Sequence, residues 1–118
     1  MKHPVVYFEI GCRDGDATRT FFQELFGWDI SAERPAMQIA TGGPPMEALN
    51  GHIVELAPEW GPYVTIYVQV EDLESCLKRA EELGGKTLVS PQTLPGGDGF
   101  AWMAAPEGNI IGLWRPRG

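Results

Sequence analysis

The sequence predicts an α+β fold built from two tandem βαβββ modules. Three observations predict it. A helix-like segment opens at Asp14 and another at Asp72, about 58 residues apart. A stretch of alternating residues precedes each Asp, and three shorter strand-like pieces follow each helix. The repeat covers the whole chain and predicts a single domain, 1–118, with module one at about 4–57 and module two at about 62–115.

Module one begins with the strand-like stretch Val5–Asp14. The short carboxylate of its final Asp can accept hydrogen bonds from the first turn of a helix. Ala17, Phe21 and Leu25 then recur every four residues, as on one stripe of a helix, and Gly27 is a natural stop. The strands predicted after this helix are Trp28–Glu33, Ala36–Thr41 and Leu49–Leu56.

Module two repeats this order after the short linker Ala57–Pro62. Its first strand-like stretch, Val64–Asp72, again ends in a capping Asp, and Gly84 or Gly85 stops the helix. The apolar residues of one helical stripe are Leu73, Leu77, Ala80 and Leu83. The three strands predicted next are Thr87–Thr93, Gly99–Ala104 and Asn109–Trp114.

Alternation in the first strand of each module predicts two different faces of the sheet. The apolar face, expected to pack on the helices, carries Val6, Phe8, Ile10, Val64, Ile66, Val68 and Val70. The opposite face carries Tyr7, Glu9, Thr65, Tyr67 and Gln69. A mixed polar and aromatic face indicates a lined cavity, although an antiparallel sheet can also expose such a face to water.

A second, shorter repeat lies in the closing strands, GHIVEL at Gly51–Leu56 and GNIIGL at Gly108–Leu113. It aligns Glu55 with Gly112. We expect Glu55 on the cavity face, and His52 on the opposite face because its strand parity differs.

Composition excludes several classes of protein. The formal net charge of -7 repels phosphate backbones, and the sequence has no basic stripe that would offset it. We therefore expect no nucleic-acid partner. No apolar run is long enough to span a membrane, and the N-terminus lacks a signal-peptide pattern. Cys12 and Cys76 form no disulfide framework, so both thiols are expected to be free and the chain cytoplasmic.

Three segments together resemble the glyoxalase / bleomycin resistance / extradiol dioxygenase superfamily, the vicinal oxygen chelate proteins. They are Phe8–Trp28, Tyr67–Lys86 and Ala105–Trp114. The resemblance implies a glyoxalase/bleomycin resistance-like domain whose curved mixed sheets surround a cleft. It also implies a homodimer with clefts at or near the interface.

Metal-using members of this superfamily take ligands from the first and fourth strands of each module. The resemblance places these positions at Tyr7, Glu55, Thr65 and Gly112. Only Glu55 is a ligand of the usual kind, because glycine offers no donor and a neutral hydroxyl binds a divalent metal poorly. We therefore expect no metal or other cofactor, and a divalent metal is the alternative.

The leading hypothesis is a metal-independent protein that binds a small organic molecule in the cleft, with a resistance or sequestration role. The expected ligand-binding residues are Tyr7, Glu9, Glu55, Thr65, Tyr67, Gln69, Trp102 and Trp114. One alternative is a metal-dependent lyase, isomerase or dioxygenase. Another is a metal-free acid–base enzyme whose catalytic candidates are Glu9, Glu55 and Tyr7. Glu55 has a structural interpretation too, as a remnant paired with a neighbouring residue.

Overall fold

The computed structural model describes residues 2–42, 48–55, 59 and 61–118, which fall into two compact units. The N-terminal unit is Tyr7–Thr65. The C-terminal unit is Ile66–Gly118 together with the residues that precede Tyr7. Ala57, Pro58 and Trp60 of the predicted linker Ala57–Pro62, and Leu56 before it, lie outside the described residues.

The N-terminal unit contains the predicted strand, helix and three strands. Its elements are β1 (Val5–Gly11, of which the first two residues belong to the C-terminal unit), α1 (Gly15–Phe26), β2 (Asp29–Ile30), β3 (Ala36–Ala40) and β4 (Gly51–Val54). The strand order is β2-β3-β4-β1, and only the β4–β1 pair is parallel. The β4–β1 register sets Glu9 opposite His52.

The C-terminal unit repeats this architecture. Its elements are β5 (Tyr63–Gln69, of which the first three residues belong to the N-terminal unit), α2 (Leu73–Glu82), β6 (Lys86–Thr93), β7 (Gly99–Ala104) and β8 (Ile110–Arg115). The strand order is β5-β8-β7-β6, and β5 pairs with β8 in parallel. Here the parallel register sets Tyr67 opposite Gly112. The α+β class and the βαβββ order of each half are confirmed.

The two helix starts form as the sequence predicts. The side chain of Asp14 accepts the Ala17 N–H, and that of Asp72 accepts the Ser75 N–H. The latter hydrogen bond lowers the pKa of Asp72. Gly27 ends α1 in the left-handed conformation, with φ of 70°. These local caps satisfy amides that have no partner inside the helix.

Each unit has its own apolar core on the helix side of its strands. In the N-terminal unit the core is Ile10, Cys12, Ile30, Met37, Ile39 and Ile53, with Phe8, Phe22 and Trp28 packed against it. In the C-terminal unit it is Val70, Leu73, Leu77, Ala101 and Leu113, with Val68, Cys76 and Met103. The helix-facing roles predicted for Phe8, Ile10, Val68 and Val70 are therefore confirmed.

Three details of the prediction are wrong. Val64 is 71% exposed, whereas Val68 and Val70 pack in the core with Leu73 and Leu77 of α2. The stripe of Ala17, Phe21 and Leu25 is exposed on α1. Its neighbour Phe22 packs on the core instead, stacking on Trp28 with ring centroids 5.3 Å apart. The strand predicted at Trp28–Glu33 is shorter, because the hydroxyl of Ser31 accepts the Gln38 N–H where the β2–β3 ladder ends.

Among the described residues, neither helix has the length and apolar character that crossing a membrane requires.

Candidate functional site

A buried carboxylate organises the polar face of the N-terminal unit. Glu9, on β1, is only 5% exposed. One of its carboxylate oxygens lies 2.6 Å from Nε2 of His52, its register partner on β4. The hydroxyl of Tyr63, at the start of β5, donates a hydrogen bond to the other oxygen. We call Glu9, His52 and Tyr63 the Glu9 cluster.

Glycine makes room for the Tyr63 ring. A Cβ at Gly11, two residues after Glu9 on the same face of β1, would lie 2.0 Å from the ring. No side chain can occupy that space while Tyr63 reaches Glu9. The absence of a side chain at Gly11 therefore allows the phenol of Tyr63, from β5, to pack over the backbone of β1.

The environment of Tyr63 fixes it as a hydrogen-bond donor. Burial is the largest effect, and the hydrogen bond and negative charge of Glu9 add to it; together they raise the pKa of Tyr63 far above its ordinary value. Because the phenol keeps its proton, the Glu9 oxygen that it contacts acts as an acceptor. Each oxygen of Glu9 thus has a polar partner, the imidazole of His52 on one and the hydroxyl of Tyr63 on the other.

Tyr7 lies beside the Glu9 cluster, where its ring contacts the His52 imidazole. Its ring centroid lies 5.3 Å from that of the His52 imidazole, at an interplanar angle of 52°. Both rings are partly exposed above the buried Glu9 carboxylate. The predicted cleft residues Tyr7 and Glu9 are therefore neighbours, and His52 lies with them rather than on the opposite face as predicted.

Glu55 lies elsewhere. One of its oxygens accepts the Gly15 N–H at the start of α1, at 2.7 Å. The other accepts from Nε of Arg34 at 2.6 Å, and Arg34 also contacts Asp16. The hydrogen bond with Glu55 is the main reason that the pKa of Arg34 is raised. The prediction that Glu55 shares a face with Tyr7 and Glu9 is wrong, since its carboxylate points to the helix.

The strand registers explain this error. Glu9 and Tyr67 occupy equivalent places, because each lies five residues before the capping Asp of its module. Glu9 pairs with His52 and Tyr67 pairs with Gly112, so Gly112 corresponds to His52. The repeat of GHIVEL and GNIIGL aligned Gly112 with Glu55, three residues too far along the first copy.

Gly112 is a packing residue. A Cβ at this position would lie 2.6 Å from the ring of Tyr67, which is 3% exposed. Nε1 of Trp102 donates to the Tyr67 hydroxyl at 2.8 Å, and Trp114 meets the Tyr67 ring edge-on at 6.4 Å. The aromatic members of the predicted ligand-binding set in the C-terminal unit therefore lie together, with Tyr67 and Trp102 buried and Trp114 partly buried.

The two remaining predicted residues flank these groups on β5. Thr65 is 4% exposed and belongs to the N-terminal unit. Gln69 is partly buried, pairs with Trp114 in the strand register and donates its backbone N–H to the carbonyl of Pro4.

The family's metal positions do not fit a metal in this chain. Glu55 is held by Gly15 and Arg34 on the helix side, and the Tyr67 ring fills the space beside Gly112. No three His, Cys, Asp or Glu side chains come together as a metal site anywhere in the described part of the chain. Glu55 is thus engaged by Gly15 and Arg34, and Gly112 supplies no side-chain donor.

Two cavities of ligand size accompany these groups. One, of ≈ 580 Å³, belongs to the N-terminal unit; its lining residues are Ile10, Gly11, Cys12, Arg13, Asp14, Thr18, Pro62, Tyr63 and Val64. It reaches the Glu9 cluster through Tyr63. The other, of ≈ 520 Å³, follows α2 in the C-terminal unit and includes His3, Cys76 and Met103. Burial raises the pKa of the Cys76 thiol, which does not favour a nucleophile.

Sequence reasoning missed His52 and Tyr63 as members of the site. Tyr63 had a usable signal, because it continues the alternation of Thr65 and Tyr67 by one step. His52 had none in the sequence, since its face depends on the register of β4 against β1.

Comparison with curated proteins gives two relatives from Streptomyces. The chain is 25% identical to the anthracycline biosynthesis protein DnrV of Streptomyces peucetius over 126 residues, which cover 92% of this chain and 46% of that protein. DauV of Streptomyces sp. (strain C5), also an anthracycline biosynthesis protein, matches over the same shares at 25% identity. The chain spans about half the length of these curated relatives.

Solved structures share the fold at low identity. A glyoxalase/bleomycin resistance protein/dioxygenase superfamily member from Vibrio splendidus 12B01 is 18% identical with a TM-score of 0.65, over 97% of this chain and 98% of that one. Methylmalonyl-CoA epimerase from Mycobacterium tuberculosis is 14% identical with a TM-score of 0.61, over 97% and 88%. The family model of the glyoxalase-like domain matches residues 6–113. The chain therefore belongs to the glyoxalase-like domain family.

Proposed function

We propose that this glyoxalase-like protein binds a neutral or cationic small organic molecule, without a metal, at the Tyr7 and His52 side of the Glu9 cluster. The observation that carries the proposal is the buried Glu9 carboxylate, which fixes an imidazole and a phenol through hydrogen bonds. Ligand sites combine aromatic surface with a few fixed polar groups, and perturbed titratable groups concentrate there. Tyr7 and His52 supply partly exposed ring surface above that carboxylate.

Charge favours a ligand that is not an anion. Glu9 puts a negative charge beneath the rings, and the chain as a whole carries -7. In the N-terminal unit Arg34 is held by Glu55 and Asp16, and Arg19 donates to the carbonyl of Ile30. An acyl-CoA, with its several phosphate charges, gains little from such surroundings.

The names of the relatives agree with this choice of ligand class. DnrV and DauV are described as anthracycline biosynthesis proteins. As a chemical class, anthracyclines are flat fused-ring compounds, which suits an aromatic site. The methylmalonyl-CoA epimerases share only the fold at the identities observed. We therefore extend the proposal to aromatic polyketides as the ligand class, with sequestration as the role if no turnover accompanies binding.

Binding is tested by following the ring resonances of His52 in NMR spectra while daunomycin is added, with methylmalonyl-CoA as the comparison ligand. We expect saturable shifts with daunomycin and none with methylmalonyl-CoA. Glu9→Gln removes the charge and is expected to weaken binding, whereas the control His3→Gln leaves it unchanged. Saturable binding of methylmalonyl-CoA alone would refute the charge argument.

The proposal includes two further properties. We propose that the protein is a homodimer, as the family resemblance implies, and light scattering during size exclusion measures this directly. We also propose that protein purified without an affinity tag binds no stoichiometric Mn, Fe, Ni or Zn, even after incubation with each. Metal that disappears in Glu55→Ala would contradict the metal-free interpretation.

A further inference from the structure

We propose that Arg115 and Arg117 bind a phosphate group against the glycine-rich turn Pro95–Gly99 of the C-terminal unit. The proposal is independent of the proposed function, because it concerns residues of the other unit and an anion instead of a neutral or cationic molecule. We call the two arginines and this turn the arginine site.

The turn between β6 and β7 is closed by its own backbone. The Leu94 N–H donates to the carbonyl of Asp98 at 2.7 Å, and the Gly97 N–H donates to the carbonyl of Leu94 at 2.8 Å. The side chain of Asp98 accepts the backbone N–H of Arg117 at 2.7 Å. The segment that follows β8 is therefore fastened to this turn.

Arg115 lies across the base of the turn. It is the register partner of Gly99, the first residue of β7. A Cβ at Gly99 would lie 2.5 Å from Nη2 of Arg115 and 3.0 Å from its Cζ. Gly99 is buried and Arg115 is partly buried. The missing side chain at Gly99 therefore leaves the space that the guanidinium occupies.

Arg117 follows the outer part of the turn. Its Nη1 donates to the carbonyl of Gly96 at 3.2 Å. A Cβ at Gly97 would lie 3.2 Å from the Arg117 Cβ and 3.9 Å from its Cδ, and the φ of Gly97 is 98°. Two guanidinium groups thus lie against one short turn, at glycines that make room for them.

The donors of both arginines are largely unused. Within the part of the chain that the structure describes, the ion pairs involve Arg34, His52 and Arg79, and neither arginine of the site. A guanidinium has five N–H donors. Arg117 uses one of them on a neutral carbonyl, and the Arg115 guanidinium donates no hydrogen bond to another described residue. The site therefore offers two positive charges with free donors.

Three carboxylates belong to the elements around the arginine site. Asp98 lies in the turn, and Glu71 and Asp72 follow the end of β5, which pairs with β8. None of the three forms an ion pair with either arginine. They reduce the local positive potential, so we expect modest affinity that weakens as salt screens the attraction.

A phosphate group matches these donors better than a carboxylate does. A carboxylate has two oxygens, which the fork of one guanidinium satisfies. A phosphate group has at least three acceptor oxygens and can accept hydrogen bonds from two guanidinium groups at once. The chain charge of -7 works against any anion, so these local donors must supply the attraction. The ligand class is inorganic phosphate or a small phosphomonoester.

The experiment measures binding of inorganic phosphate and of phenyl phosphate by isothermal titration calorimetry at low ionic strength. We expect saturable binding in the wild type. Arg115→Gln and Arg117→Gln are each expected to weaken it by roughly tenfold, as loss of a charged hydrogen-bond donor does. Arg79→Gln is the matched control, because it removes the same charge from an exposed arginine that pairs with Glu82 in the same unit. We expect it to change the affinity by less than about twofold.

Two variants test the geometry of the site at constant net charge. Gly99→Ala puts a Cβ where the Arg115 guanidinium lies, so we expect the phosphate affinity to fall. Arg115→Lys keeps the charge without the planar fork and is expected to bind more weakly than the wild type but more tightly than Arg115→Gln. Urea unfolding of each variant identifies those that fold, and Arg115→Lys carries the test if Gly99→Ala does not.

Each outcome decides the inference. Binding that depends on Arg115 and Arg117 supports it; tighter binding of phenyl phosphate identifies a phosphomonoester, and tighter binding of inorganic phosphate identifies the free ion. No saturable binding of either compound would overturn it, and so would an equal loss in Arg79→Gln and Arg115→Gln. The daunomycin titration is read at His52, so the proposed function and the arginine site can fail separately.

Discussion

Substituting Gly112 with alanine tests whether the missing side chain is a matter of packing or of lost metal chemistry. A Cβ here would lie 2.6 Å from Cδ1 and Cε1 of Tyr67, well inside van der Waals contact. The ring cannot move freely, because its hydroxyl accepts the Trp102 indole N–H and its residue is 3% exposed. Overpacking of this kind costs about 1–3 kcal/mol. We expect Gly112→Ala to lower the free energy of unfolding by that amount.

The measurement is urea denaturation of four proteins: wild type, Gly112→Ala, Tyr67→Leu and the double variant. If the clash with the ring is the cause, the alanine costs much less in the Tyr67→Leu background. Gly96→Ala is the matched control, since its Cβ would meet only Arg117 Nη1 at 3.5 Å. An equal cost of Gly112→Ala in both backgrounds would refute the steric explanation.

Three further changes test other contacts. Glu55→Ala removes the acceptor of the Gly15 N–H and is expected to lower the free energy of unfolding by about 1 kcal/mol, as loss of a helix cap does. Glu55→Gln can still accept this hydrogen bond and is expected to lower the free energy of unfolding by less. The pKa of Tyr63 is raised on folding. The contribution of Tyr63 to the free energy of unfolding is therefore complete below about pH 10 and is lost as the pH rises towards the folded pKa. We expect the urea midpoint of the wild type to fall in alkali, and that of Tyr63→Phe to fall less. Tyr67→Phe removes the acceptor of the Trp102 indole and is expected to cost about 1–3 kcal/mol in urea unfolding, and an unchanged midpoint would contradict that role.

Most of the fold could be predicted because its signals are local. The capping carboxylates of Asp14 and Asp72 lie a few residues from the amides they bind, and Gly27 stops its helix by its own conformation. Strand β7 was predicted at its observed bounds, Gly99–Ala104, because Gly- and Pro-rich turns enclose it. Such features need no knowledge of distant residues.

The candidate site was predicted only in part. Tyr7 and Glu9 are two apart on one strand, so alternation placed them on the same face correctly. Glu55 and His52 were assigned to faces through a short sequence repeat, and the observed registers contradict both assignments. The residue of β4 that lies opposite Glu9 depends on the register between β4 and β1. A similarity between two hexapeptides does not determine this register.

The sequence by itself thus determined the α+β class, the two βαβββ halves, the helix starts and the face shared by Tyr7 and Glu9. Only the tertiary structure decided that Glu55 anchors α1, that Gly112 makes room for Tyr67, and that His52 and Tyr63 hold the Glu9 carboxylate. The physical reason is the range of the interactions. Caps and alternation act within a few residues, whereas the Glu9 cluster joins side chains 43 and 54 residues apart in the chain.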